Sequence, residues 1–181
     1  KRPTIESLYR YTQVLQNLDR NQEAIALVES GISKFGNHQA LDNILAELNT
    51  KVDPQKSLEF YQKLAQEKPD NFVALNNLAW SAIMVGDYQQ ALTAAQKAAD
   101  LAPNRPQVQD TLAVAYMRTG KYKEAHELLT QVNKQLPDND DVLLHYAESL
   151  IHVDMVSDAK VILAKLPDSA DKKRVSDLLS E

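Results

Sequence analysis

The sequence predicts an all-α protein, a solenoid built from repeated pairs of helices. Apolar residues recur at three- and four-residue intervals, and no run alternates in the way that a strand requires. Only four glycines interrupt the 181 residues. The same pattern of apolar and small residues also returns every 34 residues, which is the mark of a repeat architecture.

The repeat is clearest in the middle of the chain. Positions that match at the 34-residue interval include Leu78 and Leu112, Ala79 and Ala113, Gly86 and Gly120, Ala91 and Ala125, and Pro103 and Pro137. Alanine lets two helices approach closely. Glycine can end a helix in the left-handed conformation, and proline separates the second helix from the next repeat.

Extending the alignment in both directions gives five copies, at residues 5–37, 38–71, 72–105, 106–139 and 140–167. In the second copy the inter-helix glycine is replaced, and Asp53 and Pro54 are expected to start the next helix as cap and first-turn residue. The fifth copy has a shortened second helix that ends by Pro167. Residues 169–180 then predict a capping helix, whose polar outer face seals the last apolar surface.

The N-terminal end of the array differs from the C-terminal end. The chain begins at Lys1 without Met, and its first repeat is preceded by no sealing element. We therefore expect further sequence, with further repeats, upstream in the full protein.

The pattern resembles the tetratricopeptide repeat (TPR), W-x2-L-G-x2-Y…A-x3-F…P, over nearly the whole chain. The resemblance implies a right-handed superhelix of antiparallel helix pairs whose first helices line a concave groove. No copy has Trp at the first consensus position, and Trp80 stands at the ninth. The segments Ala74–Trp80, Asp110–Leu112 and His145–Ala147 are similar to bacterial TPR lipoproteins of exopolysaccharide (PEP-CTERM) systems, which implies a periplasmic or outer-membrane-associated location.

Mapping the family's groove positions onto this sequence gives a candidate partner-binding surface. Trp80 is interpreted as a groove residue, against the alternative that it packs in the core, and Asn77 as a clamp for a peptide backbone, against bonding to neighbouring side chains. The carboxylate clamp of heat-shock cochaperones is disfavoured, because its basic slots hold residues such as Gln39, Asp42 and Gln107. The candidate groove residues are Asn76, Asn77, Trp80, Met84, Asp110, Thr111, Val114, Met117, Arg118, His145, Glu148 and His152.

His145, Glu148 and His152 share one helix face by their spacing. Imidazole and carboxylate groups can bind zinc, but the order is not that of a metalloprotease motif, so a polar or pH-sensitive groove wall is the favoured interpretation. We expect no metal, no cofactor and no catalytic residue, because phosphate-binding loops and nucleophile elbows are missing from the sequence. The neighbouring Asp140 and Asp141 are interpreted as capping residues at a helix start, where negative charge suits the dipole, rather than as a general acid and base.

The composition limits the class of partner that the chain is expected to bind. The net charge of -5 and the pI near 5.4 argue against nucleic acid. The short run Lys172–Arg174 is interpreted as a solvated helix face, and no apolar stretch is long enough to span a membrane. The sequence therefore predicts a non-catalytic scaffold for a protein or peptide partner. Two alternatives stay open: the regulatory or substrate-presenting region of a larger enzyme, and self-association through the N-terminal repeat.

Overall fold

The computed structural model describes residues 4–36 and 38–180, and over those residues the chain is helical with no strand. Residue 37, where the first repeat was predicted to end, and Lys1 lie outside the described residues. The helices are α1 (Ile5–Asn17), α2 (Asn21–Phe35), α3 (Gln39–Val52), α4 (Pro54–Glu67), α5 (Phe72–Val85), α6 (Tyr88–Leu101), α7 (Pro106–Arg118), α8 (Tyr122–Gln135), α9 (Asp140–His152), α10 (Val156–Leu163) and α11 (Ala170–Asp177). A short 3-10 turn, Leu178–Ser180, follows α11.

Helices that follow one another in the chain pack together as antiparallel pairs from α1 to α10. The odd-numbered helices from α3 to α11 also contact one another in order and form a continuous layer. Each pair thus stacks on the next, as in helical-repeat proteins. The predicted all-α solenoid is confirmed.

The small residues of the repeat lie where the helices come closest. The alanines at 79, 91, 113, 125, 147 and 159 are fully buried. Leu75, Leu112 and Leu143 hold buried positions on successive first helices, so buried apolar clusters follow one another along the stack of helix pairs.

The turns follow the local chemistry of the sequence, with one correction. Gly86 ends α5 in the left-handed conformation (φ 85°), and Asp53 caps α4 ahead of Pro54. At α9 the cap is Asn139, whose side chain accepts from the Val142 N–H at 3.0 Å. Asp140 and Asp141 are first-turn residues, where their negative charge still favours the helix dipole.

The C-terminal helix covers the last pair. Val175 is fully buried in a cluster with Leu143, Leu163 and Leu166. The preceding helix, α10, stops at Leu163, ahead of Pro167. Ser169 caps α11 by accepting from the Lys172 N–H at 3.0 Å. The hydroxyl cap satisfies a donor of the first turn, and Val175 docks the helix on the apolar cluster.

Candidate functional site

A groove of about 970 Å³ runs along the layer of odd-numbered helices. Side chains from α3, α5, α7, α9 and α11 line it, and most of them come from the first helix of a pair. The groove-lining residues used below are Glu47, Lys51, Asn76, Asn77, Trp80, Ile83, Met84, Asp110, Thr111, Val114, Arg118, Asp141, His145, Asp171 and Arg174.

The centre of the groove is apolar with amide groups beside it. Trp80 is half-buried: it faces the groove and also packs on the core cluster around Val114, so both interpretations of this residue apply. Met84 is 44% exposed. Asn76 and Asn77 lie at the edge, and the buried Oδ1 of Asn76 has no hydrogen-bond partner among the described residues. Aromatic, thioether and amide groups together suit a peptide segment.

His145 is buried beside Trp80 and forms a pair with Asp110. Its Nδ1 lies 2.9 Å from Asp110 Oδ1, and its ring centroid is 5.8 Å from that of Trp80. Burial disfavours the charged imidazole, but the hydrogen bond and charge of Asp110, with Glu148 and Asp141 further off, raise the pKa of His145 above its ordinary value. The pair ties α7 to α9 across the groove floor.

Glu148 is held between two arginines from different elements. Arg118 Nη1 donates to Glu148 Oε1 at 2.6 Å, and Arg174 Nη2 donates to Oε2 at 3.0 Å. Burial opposes ionisation of Glu148, but the hydrogen bonds from Arg174 and Arg118 outweigh it and lower its pKa to about 2. Both oxygens of the carboxylate are engaged and Glu148 does not border the groove, so its contacts join α7, α9 and α11.

The contacts of Arg174 and Lys172 show that the interpretation of the basic run Lys172–Arg174 was wrong for these two residues. Lys172–Arg174 was expected to be a solvated face, yet Arg174 pairs with Glu148 and Lys172 Nζ donates to the Leu166 carbonyl at 2.8 Å. Lys173 is exposed, as expected. The run alone gave no signal for these contacts, because the buried carboxylate lies 26 residues from Arg174 in the chain.

The remaining predicted groove residues differ in whether they border the groove. Thr111, Val114 and Met117 are buried; Val114 and Thr111 still border the groove, but Met117 packs in the core. His152 stacks on the Tyr122 ring with 4.1 Å between centroids and does not border the groove. Burial lowers the pKa of His152 below its ordinary value.

These contacts bear on the predicted cluster of His145, Glu148 and His152. Each of the three side chains has its own partner: Asp110 for His145, Arg118 and Arg174 for Glu148, and Tyr122 for His152. Over residues 4–36 and 38–180, no group of three or more His, Asp or Glu side chains is placed to hold a metal ion.

A second recess of about 480 Å³ continues the groove toward α1. It shares Glu47, Lys51, Asn77 and Trp80 with the main groove and adds Asp19 and Tyr61. Burial raises the pKa of Tyr61 to about 12, an effect that the neighbouring Asn77 opposes. The buried phenol is therefore neutral over the usual pH range.

In the part of the chain that the structure describes, no helix is long and apolar enough to cross a membrane.

Stacked helix pairs with a groove along one layer define the class of helical-repeat solenoids. Within that class, tetratricopeptide-repeat family models match residues 82–135 and 116–181 and residues 60–93, so the chain belongs to the tetratricopeptide-repeat family. Proteins with this fold are generally non-catalytic scaffolds for protein–protein interaction. No curated relative matches the sequence at a significant level.

Solved structures show the same fold at low sequence identity. A thermophilic TPR protein of Thermus thermophilus is 19% identical, with a TM-score of 0.80 and coverage of 97% of this chain and 99% of that one. A tetratricopeptide repeat protein of Parabacteroides merdae is 17% identical, with a TM-score of 0.72 over 97% of this chain and 70% of the other. PilF of Pseudomonas aeruginosa is 16% identical, with a TM-score of 0.67 over 97% and 82%.

Proposed function

We propose that the protein is a non-catalytic scaffold that holds an extended segment or helix of a partner protein in its concave groove. The single observation that carries the proposal is the groove of about 970 Å³, with an apolar centre and, beside it, the amides Asn76 and Asn77, of which Asn76 has an Oδ1 without a hydrogen-bond partner among the described residues. Peptide-binding sites combine apolar anchors with polar groups that pair with the backbone. Trp80, Met84 and Asn77 supply both.

The proposal is tested with a peptide selected on the wild-type protein from a random displayed library. We expect Trp80→Ala to weaken binding of the labelled peptide by about 2 kcal/mol, roughly thirtyfold in Kd, as for a central aromatic anchor. Fluorescence anisotropy gives the Kd. Met84→Ala and Asn77→Ala are also measured, because Trp80 packs partly in the core and its loss affects folding as well.

The matched control is Lys97→Ala, an exposed residue on α6, outside the groove lining. It should bind as the wild type does. Unchanged Kd values for all three groove variants, with normal thermal unfolding, would place the binding surface elsewhere.

We also propose the cellular process in which the scaffold acts. Similarity of Ala74–Trp80 and its companion segments to exopolysaccharide-associated TPR lipoproteins supports a role in bacterial envelope or secretion assembly. Fractionation of cells that produce the full-length protein tests this, and recovery only in the cytosolic fraction would remove it. The full-length sequence also tests the alternative that this array regulates a catalytic domain of the same chain.

Self-association is a second candidate, favoured by one observation. Tyr11 and Val14 on α1 and Leu18 at its C-cap are exposed at i, i+3 and i+7, so they form an apolar stripe along the first helix. A second copy packed on this stripe would bury it.

A further inference from the structure

The charges along the groove fall into two groups. In the first group each charge has a partner: Asp110 pairs with His145, and Glu148 is shared by Arg118 and Arg174. One carboxylate between two guanidinium groups leaves an excess of one positive charge in that cluster. The other group consists of charges that are exposed to solvent.

Four exposed carboxylates border the groove and its continuation: Asp19, Glu47, Asp141 and Asp171. None of them forms an ion pair with the residues that the structure describes. The only exposed cation that borders the same surface without a carboxylate partner in those residues is Lys51. Even with the excess charge of the arginine cluster, negative charge outweighs positive.

The carboxylates are also divided in space. Asp19 and Glu47 lie on the α1–α2 turn and α3, whereas Asp141 and Asp171 lie on the first turns of α9 and α11. Between the two acidic ends, α5 and α7 present the apolar centre around Trp80. Each acidic end keeps a net negative charge, since Lys51 offsets one carboxylate at the first and the arginine cluster offsets one at the second.

Complementary charge attracts a partner and fixes its register, and the carboxylates exclude acidic sequences. Building on the proposed groove function, we infer that the partner is a protein segment with an apolar middle flanked on both sides by lysine or arginine. The apolar middle lies on Trp80, Ile83 and Met84, and the flanking cations face the acidic ends.

The first test is the composition of peptides selected from a random displayed library, with the Trp80→Ala/Met84→Ala variant as the counter-selection. Enrichment of peptides with basic residues on both sides of an apolar stretch supports the inference. Enrichment of acidic or uncharged peptides overturns it but leaves groove binding in place. If the wild type selects no peptide over the variant, both the groove function and this inference fail.

The second test compares two synthetic peptides that share an apolar core and differ only in lysine or glutamate flanks. An exposed ion pair changes affinity by roughly 1.5- to fivefold, so we expect the lysine peptide to bind about tenfold or more tightly, and the difference to shrink at high salt. Equal or tighter binding of the glutamate peptide overturns the inference, as does failure of both peptides.

Variants in which a groove carboxylate is replaced by its amide test whether the preference for the lysine-flanked peptide arises in the groove. The double variant Asp141→Asn/Asp171→Asn and, separately, Glu47→Gln should each weaken binding of the lysine-flanked peptide several-fold. Glu47 is included because it lies within α3, away from a helix start, so its substitution does not affect the helix dipole. The control, Asp100→Asn/Glu124→Gln, removes two exposed carboxylates from α6 and α8. An equal loss in the control would attribute the preference to net charge alone and overturn the inference.

Discussion

Glu148 shows how one residue can join three elements of a solenoid. Its side chain is 2% exposed, whereas those of Arg118 and Arg174 are 22% and 45% exposed. A buried carboxylate is stable only when its lost hydration is replaced, and here two guanidinium groups supply four N–H donors. Removing that charge leaves two arginines facing each other.

We expect Glu148→Gln to lower the free energy of unfolding by about 2 kcal/mol at neutral pH, a value discounted for the partial exposure of both arginines. The pKa of Glu148 falls from 4.5 to about 2 on folding. Its ionisation therefore stabilises the fold above pH 4.5, and that contribution is lost as the pH falls toward 2. The difference between wild type and variant should shrink over the same range.

Urea unfolding followed by circular dichroism measures both effects. Glu29→Gln is the matched control, since Glu29 is exposed in the middle of α2 and has no ion pair among the described residues, and it should change stability by less than about 0.5 kcal/mol. A Glu148 variant that matches this control at neutral pH would show that the arginine contacts contribute little.

At the scale of the element, α11 combines a weak local signal with strong packing. It has eight residues, too few for a stable helix in isolation. Val175 anchors it in the apolar cluster of α9 and α10, and Arg174 adds the ion pair to Glu148. The sealing role predicted for residues 169–180 depends on this docking.

Val175→Ala should destabilise the C-terminal end by about 1–3 kcal/mol, because it removes buried methyl groups and leaves a cavity. In a repeat array each unit contacts only its neighbours, so the loss should be local. Hydrogen–deuterium exchange should show faster exchange in α9, α10 and α11 and little change in α3 to α6. Val161→Ala, at a position that is 58% exposed, is the control. Uniform exchange changes along the chain would contradict local packing.

At the scale of the whole molecule, the two ends of the described array differ. The C-terminal pair is covered by α11, whereas Tyr11 and Val14 of α1 and Leu18 at its C-cap are exposed to solvent. Apolar stripes of this kind are commonly buried by another subunit or domain.

We therefore expect the average mass measured by light scattering to rise with protein concentration. Tyr11→Glu/Leu18→Glu should abolish the rise, since two charges cannot be buried in such a contact without partners. Val161→Glu places a charge on an exposed residue of α10 and should leave the rise unchanged. A wild-type protein that stays monomeric throughout removes self-association through α1.

Much of the candidate site could be predicted from repeat position alone. The pattern that placed Asn77, Trp80 and Met84 on first helices depends on spacing within one helix, and the groove contains all three. The repeat pattern could not predict that Met117 packs in the core or that His152 stacks on Tyr122, because those contacts depend on how neighbouring helix pairs approach each other. Arg174 was missed for the same reason.

The sequence by itself determined the helices, their pairing and their turns, since helical periodicity, alanine at the close approaches and glycine or aspartate at the ends act over a few residues. Only the tertiary structure decided which polar residues have their charges paired. Asp110 meets His145, and Glu148 meets Arg174, across separations of 35 and 26 residues. Such pairs depend on the stacking of whole helices, and that stacking leaves Asp19, Glu47, Asp141 and Asp171 without an ion-pair partner among the described residues.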